Sequence, residues 1–151
     1  MRKPPRWISK QAVLAIHGRL LAEHGGASGL RDEGLLDAAL ASPKNHFAYE
    51  RADMLRLAAA YAHALTQNHP FADGNKRVAL TVAGVFLELN GFRLDASEQA
   101  AAQATRALSS REIDELQFAT WLRTCSSKLP VVRRRATRKA TTIRRRTPRK
   151  K

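Results

Sequence analysis

Apolar residues recur at helical spacing along most of this chain. Ala12, Val13, Ile16, Leu20 and Leu21 mark one amphipathic segment, opened by Ser9 as an N-cap and closed by Gly25 and Gly26. Before it, Trp7 and Ile8 read as a short extended piece. The glycine-rich stretch GGASGLRDEG follows as a loop. Asp32 then caps a short helix carrying Leu35, Leu36, Ala39 and Leu40, and Pro43 is expected to stop it. A second strong pattern spans 51–68 through Met54, Leu55, Leu57, Ala58, Tyr61, Ala62 and Leu65, and its alanines predict close helix–helix contact. A third spans 75–89 through Val78, Ala79, Val82, Val85, Phe86 and Leu89, and Asn90-Gly91 ends it. That helix is apolar on most faces, so it is expected to be the central, buried one. Ser97 caps a helix over 98–108, and Ser109 with Glu112 matches the capping box S-x-x-E for a last helix through Ile113, Leu116, Phe118, Ala119 and Leu122. Strand pattern is limited to short pieces near Phe92 and Leu94, and no internal repeat is visible. The elements predict an all-α or nearly all-α bundle.

Composition adds a boundary to this picture. The 151 residues suit one domain plus an appendage, and 44% hydrophobic content is enough for a core. Of 27 Lys and Arg, 11 fall in 131–151, where there is no acid; the other 130 residues hold 16 basic against 13 acidic side chains, a net of +3. The pI near 11.2 therefore describes the end of the chain more than its body. Residues 1–128 read as the folded domain and 129–151 as a disordered basic tail, too poor in apolar groups to order itself. Two readings of the tail stand side by side. It is a solvated extension, or it attaches the protein to nucleic acid through the cations from Arg133 to Lys151. With no aromatic for base stacking, sequence-specific reading is not expected.

No run of about 18 apolar residues is present, so no membrane span is expected. The start MRKPPRWISKQ is basic but lacks the apolar run of a signal peptide. The single cysteine, Cys125, placed in an apparent helix between Trp121 and Leu129, has no internal disulfide partner and suits a packing or surface role. Together these point to a cytoplasmic protein. His17 and His24 are seven apart and share a helix face, while His46 and His63 have no partner at ligand spacing. No structural zinc site is expected.

Between the two strongest helical patterns lies QNHPFADGNKRVAL, positions 67–80. Its end feeds the N-terminus of an apolar helix, where free N–H groups and the dipole favour an anion. Gly74 lets an anion approach the main chain. Lys76 and Arg77 add positive charge where phosphate oxygens would lie. Asp73 is a hard oxygen ligand suited to Mg²⁺, which takes one or two protein carboxylates and fills its shell with phosphate and water. Asn75 can contact phosphate or a metal-bound water. His69 is the natural base for a hydroxyl nucleophile. Phe71 is read as an inward anchor. The set suits phosphoryl or nucleotidyl transfer. Each residue alone also fits ordinary turn chemistry, with Asp73 as a helix cap.

The stretch HPFADGNKR resembles the signature of the Fic/Doc (Fido) superfamily, HxFx(D/E)GN(G/K)R, and the chain over roughly 7–125 is similar to its death-on-curing (Doc) toxin branch. The resemblance implies a compact helical fold with the motif between two central helices. It implies His69 as base, Asp73 and Asn75 at Mg²⁺, and Gly74, Asn75, Lys76 and Arg77 on the phosphates of ATP. The segment 25–31 resembles the stretch that, in this family, lies over the site and positions the target. Enzymes of the family that transfer AMP carry G-N-G-R-x-x-R; here Lys76 replaces the second glycine and Leu80 the last arginine. Lysine is the form of Doc-like toxins, which transfer the γ-phosphate to elongation factor Tu, a translation factor, and are restrained by an antitoxin partner. The expectation is a toxin of that kind. Asp73-Gly74 follows the AMP-transferring form, which keeps AMP transfer as the alternative. A non-catalytic module held on nucleic acid by the tail is the third reading.

Overall fold

A computed structural model describes residues 3–130. Of the expected disordered tail 129–151, Leu129 and Pro130 are described, and the Leu129 N–H donates to the Gly91 carbonyl at 2.8 Å; the basic segment 131–151, with its expected disorder and nucleic-acid role, lies outside the described residues. Six helices dominate: α1 (Lys10–His24), α2 (Glu33–Tyr49), α3 (Met54–Asn68), α4 (Asn75–Leu89), α5 (Glu98–Ser109) and α6 (Glu115–Thr124). Two three-residue strands, β1 (Phe92–Leu94) and β2 (Ser126–Lys128), pair antiparallel with Phe92 opposite Lys128. Nearly all-α is the architecture observed.

Local chemistry explains most boundaries. Ser9, Asp32, Asp53 and Ser97 each accept an N–H from the first turn of the helix that follows. Asp53 places the start of α3 at Met54, later than the apolar pattern from 51 predicts. Pro43 does not stop α2, which continues to Tyr49. Pro43 is buried on the stripe formed by Leu36, Ala39 and Leu40, so packing outweighs one missing ladder bond. The predicted box at Ser109 and Glu112 also fails. Ser109 ends α5, Arg111 turns left-handed at φ 68°, and Glu112 accepts from the Ser110 hydroxyl. A second box, Asp114 with Gln117, sits five residues on and is the one that forms. Ile113 packs against the core just before it, as a hydrophobic staple does, so the register that buries Ile113 wins. Cys125 is not within a helix: α6 stops at Thr124 and the chain turns into β2. Its thiol donates to the Trp121 carbonyl, and burial pushes its pKa up, which keeps it protonated and unreactive.

The core centres on α3 more than on α4. Ten of the 15 residues of α3 are buried, from Leu55 to Thr66, against seven of 15 in α4. Alanines at 58–60, 62 and 64 leave a thin cylinder, so α2, α4 and α6 all approach it. The N-terminal strap closes one side: Asn90 exchanges two hydrogen bonds with the Arg6 backbone, and Trp7 stacks on Phe86. The loop between α3 and α4 therefore hangs from the two best-packed helices.

Candidate active site

His69 is the last residue of the α3 side of this loop and adopts a left-handed conformation, φ 52° and ψ 54°. For a residue with a β-carbon this needs support. Arg31 supplies it: Nε donates to the His69 carbonyl at 2.7 Å and Nη2 to the Asn68 carbonyl at 2.9 Å. The glycine-rich segment is thus strapped to the motif. Arg31 and Asp32 donate their N–H groups to the Pro70 carbonyl, and the Ala72 N–H donates to Gly29.

Phe71, 1% exposed, is the predicted inward anchor. Its N–H donates to Asn75 Oδ1 and its carbonyl accepts from Asn75 Nδ2, both at 3.0 Å. That pairing sets which end of the amide is nitrogen, so Nδ2 also donates to His69 Nδ1 at 3.0 Å. A neutral His69 in this arrangement carries its hydrogen on Nε2. Asn75 is 3% exposed and works as a clasp across the loop, with its oxygen already occupied by Phe71.

His17, from α1, stacks on Phe71 with ring centroids 3.9 Å apart and donates from Nε2 to the Asp73 carbonyl at 2.9 Å. The sequence placed it on the apolar face of α1 with Val13, a position at which a histidine needs a buried partner. That was the available signal for its role as a brace. Asp73 is exposed. Its Oδ1 accepts from the Gly74 N–H at 2.8 Å and its Oδ2 from the Ala27 N–H at 3.3 Å. Gly26 lies so near that an added Cβ would meet Oδ2 at 2.7 Å.

Gly74 opens α4 at φ 82°, in the left-handed region that glycine adopts without strain. Unlike the other five helices, α4 has no side-chain cap. Asn75, Lys76 and Arg77, the first turn of this uncapped helix, line a cleft of about 350 Å³. His69, Asp73, Gly74, Asn75, Lys76 and Arg77 all line it, so the fold brings every sequence-predicted site residue together. Leu80 continues the same wall. The opposite wall is α5, through Ala102, Thr105 and Arg106. Those three lie about 30 residues beyond the motif, and no feature of the sequence connects them to it.

Among the described residues no group of three or more His, Cys, Asp or Glu side chains is placed to hold an ion. Asp73 offers one exposed carboxylate beside an anion-binding helix end. That suits Mg²⁺ shared with phosphate and water, and not a metal held by protein alone.

A family model described as "Fic/DOC family" matches residues 7–87. The chain is 33% identical over 119 residues to "Protein kinase doc" of Escherichia phage P1, covering 78% of this chain and 94% of that protein. It is 45% identical over 76 residues to "Toxin Doc" of Mycolicibacterium smegmatis (strain ATCC 700084 / mc(2)155), covering 48% of this chain and 57% of that one.

Proposed function

As the chain belongs to the Fic/Doc family, we propose that it is a toxin of a toxin–antitoxin pair that transfers the γ-phosphoryl group of ATP to a protein hydroxyl. The observation that carries this reading is the uncapped N-terminus of α4. It opens into a cleft between Lys76 and Arg77 on one side and His69 on the other. Main-chain N–H groups, the helix dipole and two cations form a phosphate grip. The relatives named as kinase and toxin support the choice of reaction and role.

In the reaction the hydroxyl oxygen forms a bond to the γ-phosphorus while the bond from that phosphorus to the β,γ-bridging oxygen breaks and ADP leaves. The hydroxyl proton passes to His69. Acceptance at Nε2 requires the tautomer with hydrogen on Nδ1, so His69 and Asn75 must re-pair as the substrate arrives. Mg²⁺, held by Asp73 and the phosphates, would neutralise charge on the transferring group. The main chain of 25–31, tied to the motif at Gly29, Arg31 and Asp32, offers an edge against which a target segment lies beside His69. A translation factor such as elongation factor Tu is the target we propose, and an antitoxin the partner that restrains the site.

Purified protein incubated with γ-labelled and, separately, α-labelled ATP plus a translation extract tests the reading. Label transferred from the γ position, and lost in His69→Ala, supports it. Label from the α position means AMP transfer, the alternative favoured by Asp73-Gly74. No transfer of either label returns the chain to the binding-module reading, with attachment through the cations from Arg133 to Lys151.

A further inference from the structure

We propose that Arg106, on the α5 wall of the cleft, binds the terminal phosphate of the nucleotide beside His69 and offsets the charge that develops on it during transfer. The proposal rests on the reading of this cleft as a γ-phosphoryl transfer site.

Residues 102, 105 and 106 present one face of α5 to the cleft. Ala102 is small and leaves room. Thr105 is buried and its hydroxyl donates to the Ala101 carbonyl at 2.7 Å, so it has no hydrogen left to donate to a phosphate. Arg106 is therefore the polar side chain that α5 contributes. It is exposed, and among the described residues no carboxylate pairs with it. Several other arginines are committed: Arg31 to backbone carbonyls, Arg56 to Glu115, Arg111 to Gln67 and Arg123 to Asp53. The cleft thus holds three cations, Lys76, Arg77 and Arg106, against the single carboxylate of Asp73.

Two features locate Arg106 at the reactive end. Gln67 Nε2 donates to the carbonyls of Leu108 and Ser109, at 3.2 and 3.4 Å, and Gln67 Oε1 accepts from Arg111 Nε at 2.8 Å. Those bonds pin the last turn of α5 beside the last turn of α3, two residues before His69. Arg106 belongs to that turn of α5. A helix C-terminus carries partial negative charge, which would oppose a phosphate at this place. A guanidinium in the same turn reverses the sign and adds planar donors that match phosphate oxygens. The phosphoryl group would then lie between the α4 amides and Arg106.

Titration of the full-length protein with ATP and ADP in Mg²⁺, together with steady-state transfer, tests the assignment. Arg106→Ala is expected to weaken ATP binding about tenfold and to leave ADP affinity unchanged. It should lower kcat on the order of a hundredfold. Arg106→Lys should recover most of the ATP affinity and only part of kcat, since the charge returns without the fork. A residue serving only the α5 dipole would shift the melting temperature and change neither quantity. Unchanged ATP affinity and kcat, or equal weakening of ATP and ADP, would overturn the proposal. Failure of the wild-type protein to transfer γ-label is a separate result, which overturns the function and not the placement of Arg106.

Discussion

At the scale of single residues, the motif is held in shape by side chains that do no chemistry. His17 is the clearest case. It is 5% exposed, covers one face of Phe71 and fixes the Asp73 carbonyl. His17→Phe keeps the stacked ring and removes the donor, leaving the part-buried Asp73 carbonyl without this partner. We expect a loss of about 1–2 kcal/mol in urea denaturation and a larger fall in transfer rate than a surface change of equal stability cost produces. Gly26 is a second constraint, since an alanine there meets Asp73 Oδ2 and also adopts φ +121°. Gly26→Ala should destabilise by about 1–3 kcal/mol and raise the Mg²⁺ concentration needed for half-maximal transfer. An unchanged Mg²⁺ dependence would mean that Asp73 is not the metal ligand.

At the scale of elements, two contests were decided by packing. Pro43 lost to the buried stripe of α2, and the box at Ser109 lost to the box at Asp114. The second is directly measurable. Asp114→Ala should cost about 1 kcal/mol, as N-caps do, while Glu112→Ala should cost close to nothing; equal effects would contradict the observed cap. A charged cluster ties α2, α3 and α6 together. Glu115, half-buried, accepts from Arg56, from His63 Nδ1 at 2.9 Å and lies 3.1 Å from His46 Nε2. Burial pushes the Glu115 carboxyl up, but the bonds from His63 and Arg56 outweigh it and hold the pKa at about 2, below its ordinary 4.5. A lowered folded-state pKa gives stability that is fully present above about 4.5 and is lost as pH falls toward about 2. Glu115→Gln should therefore flatten the acid arm of the urea midpoint between those values. It should also destabilise the protein at pH 7 by about 3 kcal/mol, because Arg56 is left half-buried without its main partner.

At the scale of the whole molecule, the site spans the junction of three separately packed parts: the α3–α4 pair, the strap 25–32, and α5. Among the described residues the cleft is lined from the α3–α4 loop, α4 and α5, and none of the described helices is long and apolar enough to cross a membrane. Removing 131–151 should leave the thermal melt and γ-phosphoryl transfer unchanged while reducing salt-sensitive binding to nucleic acid. Loss of transfer on that deletion would place part of the site in the tail.

Periodicity alone determined which segments are helices, because burial of one face leaves a repeating mark in the chain. The motif from His69 to Arg77 was equally legible, since its chemistry depends on neighbours along one loop and a helix end. What only the tertiary structure decided depends on contacts between distant segments. That α3 is the most enclosed helix follows from the partners its alanines admit, not from its own apolar count. His17 and Arg31 became braces, and Arg106 a cation of the cleft, because folding set α1, the strap and α5 against the loop. Such long-range contacts leave at most a faint local mark, such as the place of His17 beside Val13 on α1, so the sequence defined the front wall of the site and the packing supplied the back.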